Sequence, residues 1–165
     1  MRRHFILAAL IALPSAALAD EGHDHHAHGK KGAAYDGHAA AMGEPGDAKA
    51  RNIRTIEVAM TDAMRFKPAQ LQISKGQTIK FVVKNTGETK HEFVLGTESE
   101  LSKHAVEMEK FPEMEHDDPN AVSVEPGKTA ELVWNFTKAG TWEVGFGCLL
   151  PGHYSNGMKG KIVVK

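Results

Sequence analysis

The sequence predicts an all-β protein, a sandwich of antiparallel strands with one short helix set in a long connection. Two observations carry this prediction. Apolar residues recur at every second position in one segment after another, and turn residues punctuate the intervals between those segments. Only one stretch breaks the pattern toward a helical period.

The first segments are clear. Ile56, Val58 and Met60 alternate with Thr55, Glu57 and Ala59, and Ile79, Phe81 and Val83 alternate with Lys80 and Lys84. Period two with one apolar face describes a half-buried strand. The same reading covers Leu132, Trp134 and Phe136, then Trp142, Val144 and Phe146, and finally Ile162 and Val164. Turns fit at Lys75-Gly76, Asn85-Thr86-Gly87, Pro126-Gly127 and Ala139-Gly140. Two sheets whose inner faces meet would bury these apolar rows. Between Thr97 and Phe111, Leu101, Ala105, Val106 and Met108 follow a helical spacing, with Thr97 or Ser99 as the N-cap and Pro112 as the stop.

Upstream the composition changes. Arg2 and Arg3, the apolar run Phe5 to Leu13, and Ala17-Leu18-Ala19 have the layout of a signal peptide over residues 1–19, which predicts export to the periplasm and a mature start at Asp20. The apolar run is shorter than the roughly 20 residues a membrane-spanning helix needs, so no membrane anchor is expected. Residues 20–51 carry His23, His25, His26, His28 and His38 with few large apolar groups, and are expected to be a flexible arm with metal affinity by composition. Residues 52–165 then form one folded domain. With 20 basic residues against 21 acidic, the chain offers no basic surface for nucleic acid.

The chemistry concentrates near the C-terminus. The chain has a single cysteine, Cys148, which in an oxidising compartment has no partner for an intramolecular disulfide. Cys148, His153 and Met158 follow a C-x4-H-x4-M spacing on the loop before the last strand. A second histidine is needed from elsewhere, and His91 fits because it opens the strand His91-Glu92-Phe93-Val94-Leu95 after a turn. Two imidazoles, one thiolate and a weak axial thioether make up the blue-copper donor set. Met64, Met114 and His116 are soft or borderline donors that can form a secondary copper site, together with the five histidines of the arm.

At His91-Glu92-Phe93, His116-Asp117-Asp118-Pro119-Asn120, Pro126-Gly127 and Cys148 through Gly160, the sequence resembles the cupredoxin family, and within it the small periplasmic cupredoxins of bacterial copper tolerance. The resemblance spans about Asn52 to Lys165. It implies a Greek-key β-sandwich of about eight strands, copper as the cofactor, and His91, Cys148, His153 and Met158 as its ligands. One departure stands out. Many electron-carrying members have asparagine after the first histidine ligand, where this chain has Glu92, which implies altered hydrogen bonding near the thiolate.

A four-donor site leaves no position for a substrate, so the expected function is copper tolerance with electron transfer rather than catalysis. A multicopper enzyme needs further histidine pairs, and beyond the arm only His91, His104, His116 and His153 are present. A copper chaperone or buffer working through the arm and exposed methionines is the alternative. Leu150 and Pro151, beside His153, are the candidate docking residues for a redox partner protein or another copper-handling protein of the periplasm.

Overall fold

The computed structural model describes residues 42–113, 118–137 and 144–165. Among them the elements run β1 (Glu44–Pro45), β2 (Ile53–Thr61), β3 (Arg65–Lys67), β4 (Gln70–Ile73), β5 (Thr78–Asn85), β6 (His91–Thr97), α1 (Glu98–Lys110), β7 (Ala121–Val124), β8 (Thr129–Asn135), β9 (Val144–Gly147) and β10 (Lys159–Val164). One sheet has the order β1-β8-β5-β2-β3 and the other β4-β10-β9-β6-β7. The all-β sandwich with one helix is therefore present, and its additional strands are the short ones. β1, β3, β4 and β7 span four residues or fewer, too little for a period to register.

Burial follows the alternation in sequence. Ile56, Val58 and Met60 of β2 and Ile79, Phe81 and Val83 of β5 are buried, and Leu132 and Trp134 of β8 complete that inner face. Phe93 and Phe146 supply the opposite face. Phe66 and Phe81 meet them with ring centroids 5.1 to 5.9 Å apart, so an aromatic cluster ties the two sheets together.

Two findings differ from the expectation. The sandwich is mixed, because β2 runs parallel to β5 and β4 parallel to β10. From β2 the chain makes β3, crosses to β4 in the second sheet and returns to β5, so β2 and β5 are neighbours in the sheet without being consecutive in sequence. Period two carries no information about that crossing. The fold also begins before Asn52: Met42 is fully buried, and Glu44 and Pro45 pair with Asn135 and Trp134. A lone methionine and a two-residue strand among small residues leave no pattern to read.

The helix forms where predicted, and Thr97 is its cap. The Thr97 side chain accepts from the Glu100 N–H at 3.3 Å, and the Glu100 carboxylate accepts from the Thr97 N–H at 2.7 Å, a complete capping box. Leu101, Ala105 and Met108 form its buried stripe. They pack with Val94 of β6 and with Leu149 and Tyr154, so the helix buttresses the segment that follows β9.

At the far end of β5, Asn85 is fully buried, and its amide donates to the carbonyls of Thr89 at 2.7 Å and Val124 at 2.9 Å. Its side-chain oxygen accepts from the Gly87 N–H at 2.9 Å. This one side chain fixes the turn that delivers His91. Asn85→Ala leaves the two carbonyls and the N–H without that partner, and is expected to lower the unfolding free energy of the metal-free protein by about 3 kcal/mol, as measured by urea denaturation.

Candidate metal centre

Strand phase delivers two of the site residues. His91 and Phe93 are buried on β6, and Cys148 follows Phe146 by two residues at the end of β9, so both side chains continue an inward row. β6 and β9 pair antiparallel with Val94 opposite Gly147, which brings the start of one strand beside the end of the other. Thus His91 and Cys148 arrive at the same end of the sandwich. Both are fully buried.

The third residue arrives on the loop between β9 and β10. His153 N–H donates to the Leu150 carbonyl at 2.9 Å, Met158 N–H to the His153 carbonyl at 3.0 Å, and Cys148 N–H to the Met158 carbonyl at 3.1 Å. The chain closes this compact turn through Gly152 and Gly157, whose φ angles of 82° and 92° favour glycine. Met158 is itself fully buried and belongs to the same core cluster as Cys148. The structure therefore gathers all four sequence-predicted residues at one end of the sandwich.

Three donor atoms converge. The Nδ1 atoms of His91 and His153 are 3.3 Å apart, and Cys148 Sγ is 3.2 Å from His153 Nδ1. All lie within 4.8 Å of one another. At a metal–nitrogen distance of about 2.0 Å, the value for zinc–imidazole bonds, two nitrogens of a trigonal plane stand about 3.5 Å apart. The spacing fits one shared ion. A donor set of two imidazoles and a thiolate, with a buried methionine beside it, fits copper.

The surroundings of Cys148 and His153 favour the neutral form of each. Burial pushes the Cys148 thiol up to about 12, against the N–H groups of Glu92 and Leu150, which favour the thiolate, while the Glu92 charge disfavours it. A bound cation reverses that preference. His153, half-buried, is lowered chiefly by burial and then by the neighbouring His91, which keeps it neutral and able to donate its lone pair. The Glu92 N–H donates to Cys148 Sγ at 3.3 Å. Its carboxylate instead accepts from the Ser123 hydroxyl at 3.2 Å, so the departure at this position turns a side chain away from the sulfur.

Behind His91 stands Asp62. Its Oδ1 lies 3.2 Å from His91 Nε2, and its carboxylate accepts from Glu88 N–H and from the N–H and hydroxyl of Thr89. These bonds, the Glu88 N–H foremost, hold its carboxyl down at about 2. Sequence patterns single out neither Asp62 nor Asn85. Asn85 does begin an Asx-turn signal, whereas Asp62 looks like any surface turn residue, its partners lying more than 20 positions away.

The remaining candidates separate. Leu150 is half-buried against the main core and Pro151 is exposed, while Leu149 and Tyr154 are buried under the helix. Met64 is half-buried against the main core, with a positive φ of 56°. Met114, His116 and the histidines 23, 25, 26, 28 and 38 lie outside the described residues. Among the described residues no helix is long and apolar enough to cross a membrane.

Comparison with known proteins agrees with this geometry. The family model for copper binding proteins, plastocyanin/azurin family, matches residues 54–165. The chain is 48% identical over 159 residues to the copper-resistant cuproprotein CopI of Rubrivivax gelatinosus, covering 96% of this chain and 93% of that protein. It is 38% identical over 166 residues to the copper-resistant cuproprotein CopI of Pseudomonas aeruginosa, covering 83% of this chain and 90% of that one. Dithionite-reduced auracyanin of Roseiflexus castenholzii superposes with a TM-score of 0.58 at 26% identity, over 67% of this chain and 96% of that one. From the gathered donors and these likenesses together, the chain belongs to the plastocyanin/azurin family of copper binding proteins, the cupredoxins.

Proposed function

We propose that this is an exported electron carrier of bacterial copper tolerance, in which His91, Cys148, His153 and Met158 would hold one type 1 copper ion. The observation that carries the reading is the convergence of two imidazole nitrogens and a buried thiol at one end of a rigid sandwich. Copper in such a donor set supplies one-electron redox chemistry. The protein's part is to hold the donors in place. His91 and Cys148 are fixed by strand register and His153 by the hydrogen-bonded loop, so little rearrangement accompanies a change of charge at the metal.

His153 is the ligand that reaches partway to solvent, and Leu150 and Pro151 flank it. This face is the docking surface we assign to a redox partner. The relatives named as copper-resistant cuproproteins support a role in copper tolerance, and the leader-like residues 1–19 support a periplasmic site of action. With four donors for one ion, no position is reserved for a substrate, which favours a carrier over an enzyme.

Cys148→Ser tests the centre directly. Copper-loaded protein is expected to show an intense visible band from sulfur-to-copper charge transfer, and the variant to lose it, because a hydroxyl is a poor soft ligand. A band that survives in the variant contradicts the site.

A buffering role for the upstream histidines is the second reading, favoured by five histidines within residues 23–38. Equilibrium dialysis of the mature chain is expected to show extra, weaker copper that a chain beginning at Met42 lacks. That copper should be released on acidification below about pH 6, where free histidines become protonated. Starting at Met42 retains the buried methionine and β1, and the visible band should persist. Equal copper in the two chains would remove the buffering role.

A further inference from the structure

The β2–β3 turn touches both ligand-bearing segments. Asp62 reaches His91 on one side, and on the other Arg65 Nη1 donates to the Asn156 carbonyl at 2.9 Å, in the loop that ends on Met158. Gly157 packs against the Arg65 guanidinium, where a Cβ would come within 2.9 Å of Nη1. Gly87 is likewise seated against the Asp62 carboxylate, with no room for a side chain between them. Both glycines leave space for a charged group of this turn.

The hydrogen bonds fix the ring state of His91. His91 Nε2 has two neighbours, Asp62 Oδ1 at 3.2 Å and Thr89 Oγ1 at 3.4 Å. The Thr89 hydroxyl has one proton and directs it to Asp62 Oδ1 at 2.8 Å. A carboxylate only accepts, so Nε2 must carry the hydrogen and donate it. In the neutral ring this places the lone pair on Nδ1, the atom 3.3 Å from His153 Nδ1.

We propose that Asp62 is the positioning residue of the copper site, holding His91 as the Nε2–H tautomer with Nδ1 free for the metal and biasing the site toward Cu(II) through its negative charge. The inference rests on the copper reading above. A carboxylate hydrogen-bonded to a ligating imidazole makes that imidazole a stronger donor, and the more highly charged ion gains more from it. Asp62 is 40% exposed at the side chain, so water screens its longer-range field and its charge acts chiefly through the charge-assisted hydrogen bond to the buried ring.

The test compares the full mature protein with Asp62→Asn, which keeps an acceptor oxygen and the shape but loses the charge, and with Asp62→Ala. Cu(II) affinity by chelator competition is expected to fall about 10- to 100-fold in Asp62→Asn, with a smaller loss for Cu(I). The reduction potential then rises, by about 59 mV for each tenfold difference between the two losses. Nitrogen-detected NMR of the copper-free wild type should show His91 protonated at Nε2, and Asp62→Ala should show a mixture of tautomers. Equal losses for both ions with an unchanged potential would reduce Asp62 to a brace for the 86–91 loop and overturn the proposal. A wild-type His91 protonated at Nδ1 would overturn it as well, whether or not the copper reading stands. A wild-type protein that binds copper without a thiolate band would instead sink the copper reading, while the copper-free tautomer still decides what Asp62 does to His91.

Discussion

The antiparallel register of β6 on β9 is the constraint around which the rest of the site is built. It sets Val94 opposite Gly147, and with side chains alternating between faces it sends His91, Phe93, Phe146 and Cys148 into the same interior. A slip of one residue in either strand would turn that strand's metal donor outward together with its phenylalanine. Exposing that aromatic surface costs far more than any local adjustment, so core packing and ligand placement stabilise each other. The metal site inherits its rigidity from the hydrophobic core.

That rigidity suits the electron carrier proposed above, whose metal would change charge without a change of shape. Cys148 and His91 are closed off from water, and His153 lies between the buried donors and the surface. The loop carrying His153 is pinned from three directions: by its own backbone bonds, by Leu149 and Tyr154 under the helix, and by Arg65 at Asn156. The helix thus contributes to the metal centre without supplying a donor. It covers the outer side of the loop, while the core covers the inner side.

Much of this was legible in the sequence, for a definite reason. A period of two records which residues face inward, and a C-x4-H-x4-M spacing records three donors on one turn, so the core rows and three of the four candidate ligands could be read from local pattern, with His91 chosen by its place at the start of a strand. What local pattern omits is partnership at a distance. The parallel pairing of β2 with β5 depends on a crossing between sheets, and Asp62 acquires its meaning only from His91, 29 positions away. Leu149 and Tyr154 stand in a loop with no period of its own, and their burial comes from the helix packed against them. Met42 gave no signal because one buried residue has no period.

The central claim is that the fold sets two nitrogens and one sulfur around copper and keeps them there in both oxidation states. X-ray absorption at the copper edge, recorded on the loaded full-length protein before and after reduction, measures this most directly. The account predicts a shell of two imidazole nitrogens and one short sulfur in both spectra, with only small changes in distance. A shell without sulfur, or one that exchanges ligands on reduction, would contradict it.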